Sequence, residues 1–256
     1  MNRFASLLTV LVMGVLIGAC ADAESSTWGR SESKAAGDHD PRFRNAAPAP
    51  PPRIEHTTHL AAGQMLERQG DFAGAIGQYE KAIAAWPRFA PAYNRLGIVY
   101  QQIGRLDEAE KILVQGVQAD PSSVTLRNNL GYCYLLQQRY QEALAMFRDA
   151  LAQDPAFKRA RMNLAICLGK MGQTQDSLIE FSKVVSADVA HYNVGVICLH
   201  RGEYDRAGQA FAQALTINPK CPGAQIQLAL AQRMAQGAKD LERMAGTVDP
   251  QDPDLP

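Results

Sequence analysis

The side chains best suited to hold a metal ion or to form a covalent bond are five cysteines and five histidines. Cys198 and His200 are two residues apart, and on a helix they point to different faces, which is poor geometry for one metal ion. His56 and His59 could share a helix face, but we interpret them as surface residues at an exposed helix start. We therefore predict that the chain holds no metal and no cofactor.

Carboxylates, glycines and serines that could take part in catalysis also lack the spacing that catalysis requires. Asp107 and Glu108 are adjacent, but they lie at a predicted helix start, where the helix dipole explains them. The glycines fall at predicted turns and helix crossings and not in a phosphate-binding loop. No serine follows a predicted strand, as a nucleophile elbow requires. We predict no catalytic residues, and the alternative of an enzyme with its active site in a groove lacks the residues it would need.

The start of the chain has the pattern of a targeting segment. Arg3 precedes an almost unbroken apolar run of 14 residues, 4–17, which is short for a membrane span of ~20 residues. The run ends in Leu-Ile-Gly-Ala-Cys at residues 16–20, which resembles the lipobox of bacterial lipoproteins. The resemblance implies that residues 1–19 are a signal peptide and that Cys20 becomes the acylated N-terminus.

The same resemblance implies a location. A lipid-anchored protein of this class faces the periplasm, and Ala21 in place of an aspartate favours the outer membrane in a host that has one. Acyl chains on Cys20 would make the attachment stable, since firm anchoring needs more than one lipid chain. The alternative is an uncleaved anchor helix over residues 4–21.

Residues 20–55 are rich in serine, glycine, charged residues and proline, with an alanine–proline run at 46–52. No periodic apolar pattern appears there, so we predict a disordered tether that carries the lipidated Cys20. The acidic segment 245–256 is predicted to be a flexible tail.

From His56 onward, four kinds of position recur every 34 residues. They are a small residue (Gly63, Gly97, Gly131, Ala165), an alanine (Ala75, Ala109, Ala143), a large residue (Tyr79, Leu113, Phe147) and a proline (Pro87, Pro121, Pro155). Small residues allow two helices to cross closely, and the proline ends the second helix. A 34-residue helix–turn–helix unit with this pattern resembles the tetratricopeptide repeat.

The resemblance implies an all-α fold, a right-handed superhelix or α-solenoid of about five repeats with a C-terminal capping helix. In that register the repeat domain covers 56–244, with units at 56–89, 90–123, 124–157, 158–187 and 188–221 and a cap at 222–244. Four residues are missing around 185–190, so we expect a shortened second helix in the fourth unit and a local change of superhelical pitch. The capping helix is expected to be short, over about 222–236.

In tetratricopeptide proteins the first helices line a concave groove that binds peptides or partner helices. Carried over by repeat position, the groove residues are Asn94, Ile98, Asn128, Tyr132, Leu135, Leu136, Met162, Ile166, Tyr192, Val196 and Leu199. We interpret Asn94 and Asn128 as donors to a ligand backbone, and Tyr132 and Tyr192 as anchors. A glutamate at position 135 or 199 is expected to abolish binding without unfolding the stack. The alternative is that the apolar stretch packs against the C-terminal helix or another copy.

Cys133 and Cys167 occupy equivalent positions in neighbouring repeats, so their backbones should lie ~10 Å apart. A disulfide needs Cα atoms within ~7 Å. We therefore predict that these two, with Cys198 and Cys221, are reduced cysteines of the core.

The formal net charge is zero, which argues against a nucleic-acid partner. The predicted partners are other proteins in the groove, the membrane through the lipid, and further copies of the chain. A lipobox, a linker and several repeats resemble the lipoproteins that assist type IV or tight-adherence pilus assembly. We therefore expect an envelope scaffold for a pilus or secretion complex. Alternatives are an adaptor of peptidoglycan enzymes and a structural protein that self-assembles through the groove.

Overall fold

The computed structural model describes residues 55–246, which form 11 helices and no strand. The helices are α1 His56–Arg68, α2 Phe72–Ala85, α3 Ala90–Gln102, α4 Leu106–Ala119, α5 Val124–Leu136, α6 Tyr140–Gln153, α7 Lys158–Lys170, α8 Thr174–Ser182, α9 Ala187–His200, α10 Tyr204–Ile217 and α11 Ala224–Gly246. Each odd-numbered helix from α1 to α9 packs on the helix that follows it. The predicted all-α solenoid of helix pairs is confirmed.

Several predictions concern parts of the chain outside this range. The predicted signal peptide at 1–19, the predicted lipidated Cys20 and the predicted tether up to residue 54 lie outside the described residues. Of the predicted tail at 245–256, residues 247–256 also lie outside them, whereas Ala245 and Gly246 belong to α11. No helix within 55–246 is long and apolar enough to cross a bilayer.

The turn inside each pair needs a residue with a left-handed backbone. Gly104 takes φ +77° between α3 and α4, and its amide donates to the Gln101 carbonyl at 3.2 Å. In the third pair Gln138 occupies this place with φ 62°. A left-handed conformation costs a residue with a side chain ~1 kcal/mol, so among the turns within residues 55–246 this one is locally strained.

The two helices of a pair cross where a small residue meets a large one. The large residues Tyr79, Leu113, Phe147, Phe181 and Phe211 are fully buried. A Cβ atom placed on Gly97 would lie 2.6 Å from the Leu113 side chain, and one on Gly131 would lie 2.8 Å from the ring of Phe147. The glycines are therefore required by close packing.

The first helices form one side of the stack. Each of α1, α3, α5 and α7 contacts the next first helix, and α9 contacts the capping helix α11. Within the part of the chain that the structure describes, no second helix contacts the second helix of another pair. The first helices are therefore closer together, and the side they form is called the inner face below.

The fourth pair is short at its second helix. α8 has nine residues, whereas α6 and α10 have 14 each. Ser177 stands where other repeats carry alanine, and its hydroxyl donates to the Ala165 carbonyl at 2.7 Å. Arg161 pairs with Glu180 at 2.9 Å and so also joins α7 to α8. The expected change of superhelical pitch stays a prediction.

The capping helix differs from its prediction. α11 has 23 residues and runs to Gly246, so the expectation of a short helix ending near residue 236 is wrong. The helix continues through Gly237 because its alanines, Ala231 and Ala235 among them, stay buried while the helix packs on α10. The Lys239 ammonium also pairs with Asp205 at 3.1 Å. Tertiary contact therefore overrides the weak helix propensity of one glycine.

Candidate functional site

The predicted groove residues lie on α3, α5, α7 and α9, which are consecutive helices of the inner face. The structure therefore brings the equivalent positions of four repeats side by side. Their exposure divides them into two groups. Asn128, Leu135 and Val196 are buried. The partly exposed ones are Asn94, Ile98, Tyr132, Leu136, Met162, Ile166, Tyr192 and Leu199.

Leu135 is a core residue, and the structure does not support its interpretation as a groove residue. It is 3% exposed and belongs to a cluster with Phe147 and Leu168. The side chain fills space between neighbouring helix pairs, so a ligand has no access to it. Val196, 5% exposed, is withdrawn from the groove on the same ground.

Asparagines connect three first helices. Asn163 Nδ2 donates to Asn128 Oδ1 at 2.9 Å, and Asn128 Nδ2 donates to Asn129 Oδ1 at 2.9 Å. Asn129 Nδ2 in turn donates to Asn94 Oδ1. We call these four residues the asparagine ladder. Because both polar atoms of Asn128 are engaged and the residue is 1% exposed, the structure does not support the prediction that it binds a ligand backbone.

Asn94 ends the ladder and is partly exposed. Its Oδ1 atom accepts the bond from Asn129, which leaves its Nδ2 group to donate to a bound segment. Asn129 and Asn163 were not among the predicted groove residues. A signal for them exists, because asparagine recurs at one repeat position in Asn129, Asn163 and Asn193.

In the N-terminal part of the inner face, polar side chains bind to other groups of the protein. The Tyr79 hydroxyl donates to Glu67 Oε2 at 2.7 Å, and Arg95 pairs with the same carboxylate at 2.6 Å. Burial and the hydrogen bond to Glu67 raise the pKa of Tyr79 to about 12. Gln101 Nε2 donates to the Asn129 carbonyl at 3.0 Å. These polar groups are therefore partnered within the protein, except that the Nε atom of Arg95 is buried without a hydrogen-bond partner.

Farther along, the inner face is apolar. Six partly exposed residues define what we call the apolar band: Ile98, Tyr132, Leu136, Met162, Ile166 and Leu199. Tyr132 and Ile166 pack on the core cluster of Leu135, so they have fixed positions. Burial raises the pKa of Tyr132, which keeps its phenol neutral.

Charge at the C-terminal edge of the apolar band is positive. Burial and the nearby Lys170 ammonium lower the pKa of His200, so the imidazole is neutral at pH 7. Lys170 carries the positive charge at this edge. An apolar band with a cation beside it suits a segment that has apolar side chains and a carboxylate.

Tyr192 helps to hold the capping helix. Its ring centroid lies 5.6 Å from that of Phe211, and the side chain packs on the cluster of Cys221 and Ala224. The alternative that the apolar stretch packs on the C-terminal helix therefore holds at Tyr192. The interpretation of Tyr192 as a ligand anchor is not supported.

The thiols in the described range are buried and reduced. Cys133 Sγ donates to the Leu106 carbonyl at 3.4 Å, and Cys167 Sγ makes the equivalent bond to Tyr140 at 3.4 Å. Burial raises the pKa of Cys133 and of Cys167 to about 11. Such thiols are poor nucleophiles. Within residues 55–246 no three metal-binding side chains come together.

Comparison with protein families identifies the repeats. Three family models, each described as a tetratricopeptide repeat, match this chain. The first matches residues 60–124 and 95–156, the second 134–191 and the third 189–221. Together they cover the chain from the first described helix pair to the end of the fifth.

Among curated proteins, human tetratricopeptide repeat protein 7B is 33% identical over 70 residues. The match covers 27% of this chain and spans 8% of the human protein's length. It is therefore a likeness of repeats only.

Solved structures cover more of the chain. MamA is 25% identical with a TM-score of 0.54, covering 65% of this chain and 93% of MamA. YrrB, described as a repeat protein with an unusual peptide-binding site, is 20% identical with a TM-score of 0.54, covering 71% and 94%. PilW, described as a type IV pilus biogenesis factor, is 21% identical with a TM-score of 0.57, covering 77% and 95%.

The repeat models, the stacked helix pairs and the structural likenesses agree. Tetratricopeptide repeats are generally non-catalytic scaffolds for contacts between proteins. This chain belongs to the tetratricopeptide-repeat family.

Proposed function

We propose that the protein is a membrane-anchored scaffold of the cell envelope that binds an apolar segment of a partner protein on its inner face and assists assembly of a pilus or secretion complex. The observation that carries this proposal is the apolar band. Its six side chains are partly exposed on four consecutive first helices, α3, α5, α7 and α9, and contiguous apolar surface on a folded domain usually marks a binding site.

The surroundings of the apolar band favour an amphipathic helix as the bound segment. The asparagine ladder joins α3, α5 and α7, so the surface is ordered before a partner arrives. Preorganisation lowers the entropic cost of binding. An apolar stripe on a partner helix can contact such a surface through side chains at i, i+3 and i+4. A carboxylate on that helix would meet Lys170.

The membrane anchor is proposed from the sequence. Acylation of Cys20 would attach the chain, and a flexible tether of about 35 residues would span ~30–35 Å on average. That distance would hold the repeats away from the lipid surface, where the inner face can reach partners in the periplasm.

The likeness to PilW motivates the choice of process. At 21% identity that likeness concerns the fold, so the pilus role is our inference from the fold together with the lipobox. A role as adaptor of peptidoglycan enzymes predicts a different captured partner and is one outcome of the following test.

The test of the binding surface is photo-crosslinking in cells from a reactive residue at position 136, 166 or 199. A matched control places the same residue at Ile179, which is 46% exposed on the second helix α8. We expect a pilus or secretion protein to be captured from the inner face and not from position 179. Capture of peptidoglycan enzymes would replace pilus or secretion assembly by the adaptor role. Equal capture at position 179 would refute the inner face as the binding site.

The anchor is tested separately with Cys20→Ser. We expect this variant to lose incorporation of labelled palmitate and to leave the membrane fraction. Retention of the variant in the membrane without label would favour the uncleaved helix over residues 4–21.

A further inference from the structure

The connection between the fourth and fifth helix pairs differs in sequence from the other connections between a second helix and the next first helix. Within residues 55–246 the others each contain a proline, namely Pro87, Pro121, Pro155 and Pro219. Residues 183–186, which join α8 to α9, are Lys-Val-Val-Ser. Proline fixes φ and so restricts the backbone. The connection at 183–186 therefore lacks the residue that stiffens the others.

The asparagine ladder also stops before this connection. In α3 and α5 the acceptors of the bonds between first helices are Asn94 and Asn128. At the same repeat position α7 carries Met162, whose thioether is only a weak acceptor. Asn193 of α9 is buried and occupies the donor position without an asparagine opposite it. The ladder therefore connects α3, α5 and α7 and does not extend to α9.

At this connection the first helices touch closely, whereas the second helices are separated by a groove. A Cβ atom on Gly169 of α7 would lie 2.9 Å from the Ile197 side chain of α9. Between α8 and α10 is a groove of about 480 Å³, lined among others by Leu178 and Gln209. A rotation about the Gly169 contact would therefore change the width of the groove while the close contact is kept.

We propose that residues 183–186 are a hinge between two blocks of the repeat stack, 56–182 and 187–246, with the contact between Gly169 and Ile197 as the pivot. Hinges are short connections that absorb backbone changes between packed elements. In the first block the prolines and the asparagine ladder fix the spacing of the helix pairs. In the second block α10 packs on both α9 and α11, so these three helices move together.

A polar contact that crosses the hinge does not prevent this motion. The Arg201 guanidinium of the second block donates to the Lys170 carbonyl of the first. The same guanidinium pairs with Glu203 of its own block at 2.7 Å, with 31% of the Arg201 side chain exposed. Exposed polar contacts of this kind contribute little to stability. Water can therefore replace the bond to Lys170 while Arg201 keeps its partner Glu203.

The hinge divides the apolar band. Met162 and Ile166 lie on α7 in the first block, whereas Leu199 lies on α9 in the second. Bending therefore changes the separation of these side chains, and a bound segment would select the separation that fits it. The hinge is a property of the protein without a partner, so its test does not depend on the proposed function.

The test is pulsed electron paramagnetic resonance on the full-length protein without a partner, with spin labels on noncanonical residues at matched positions. Lys81, Asp149 and Gln213 are exposed, and each is the tenth residue of a 14-residue second helix. The pair 149–213 spans the hinge, whereas the pair 81–149 spans as many repeats within the first block. We expect the distance distribution of 149–213 to be at least twice as broad. Equal widths would overturn the hinge.

A second-site change tests the physical cause. Met162→Asn supplies an acceptor opposite Asn193 and should narrow the 149–213 distribution to nearly the width of 81–149. Arg159→Asn, an exposed change on the same helix, is the matched control and should leave the distribution broad. Circular dichroism checks that both variants keep their helices. An unchanged width in Met162→Asn, or the same narrowing in Arg159→Asn, would overturn the proposal. Partner capture from positions 136, 166 and 199 of the unaltered protein is a separate result, so failure of the hinge is distinguishable from failure of the partner site.

Discussion

Asn163 of α7 donates through Nδ2 to Asn128 Oδ1 of α5 at 2.9 Å, and Asn129 of α5 makes the equivalent bond to Asn94 of α3. The pairs are one repeat apart. Asn128 joins them because its own Nδ2 group donates to Asn129. A polar connection therefore runs through the buried side of the inner face and fixes the spacing of three first helices.

Asn128→Ala should be destabilising because it leaves the Asn163 donor and the Asn129 acceptor unpaired in a buried place. An unpaired buried polar group costs ~1–3 kcal/mol. The shift of the urea midpoint, followed by circular dichroism, measures this loss. Gln102→Ala, an exposed change on the same face, should shift the midpoint little. Equal shifts for the two variants would show that the ladder does not stabilise the stack.

Positions 135 and 199 should respond differently to glutamate, although both are leucines at the same repeat position. Leu135 is buried beside Phe147, so Leu135→Glu places a carboxylate in the core and should cost more than ~3 kcal/mol. Leu199 is partly exposed, so Leu199→Glu should keep its helical signal while partner capture at the apolar band falls at least tenfold. A folded Leu135→Glu variant would contradict the assignment of Leu135 to the core.

These two leucines show what the sequence could predict. The 34-residue period placed small residues opposite large ones, such as Gly97 opposite Leu113, because that packing is local to one helix pair. Burial at position 135 depends on the next repeat, since Leu164 and Leu168 of α7 belong to the same core cluster. A repeat register gives the direction of a side chain, and the depth of its burial depends on neighbours that the register does not specify.

The capping helix shows a second limit. The sequence predicted a helix over about 222–236, whereas α11 continues through Gly237, although glycine is a weak helix former. Contacts of α11 with α10 and the pair between Lys239 and Asp205 continue the helix beyond it. Tyr192 likewise packs on Phe211 and on the cluster that includes Ala224 of the cap, a contact that its repeat position alone does not reveal. Element types follow from local patterns, whereas helix ends and site exposure depend on packing between repeats.

Gly97→Ala and Gly77→Ala form a matched pair that tests the packing. A Cβ atom at Gly97 would lie 2.6 Å from the Leu113 side chain, whereas one at Gly77 in α2 would meet nothing within 4 Å. We expect Gly97→Ala to destabilise by ~1–3 kcal/mol through overpacking. Gly77→Ala should stabilise by ~0.5–1 kcal/mol through helix propensity. Thermal melting followed at 222 nm would measure both, and a stabilising Gly97→Ala would refute the close crossing.

Tyr79 should make stability depend on pH in the alkaline range. Burial and the hydrogen bond to Glu67 raise the pKa of Tyr79 from its ordinary value of 10.0 to about 12. Because the folded protein favours the neutral phenol, this contribution is fully present below pH ~10 and is lost as the pH rises through ~12. The urea midpoint should therefore fall over that interval, and it should fall less in Tyr79→Phe. Other tyrosines, among them Tyr100 and Tyr134, also have raised pKa values, but they are common to both proteins and cancel in the comparison. Parallel curves for the two proteins would show that Tyr79 ionises in the folded state as easily as in the unfolded chain.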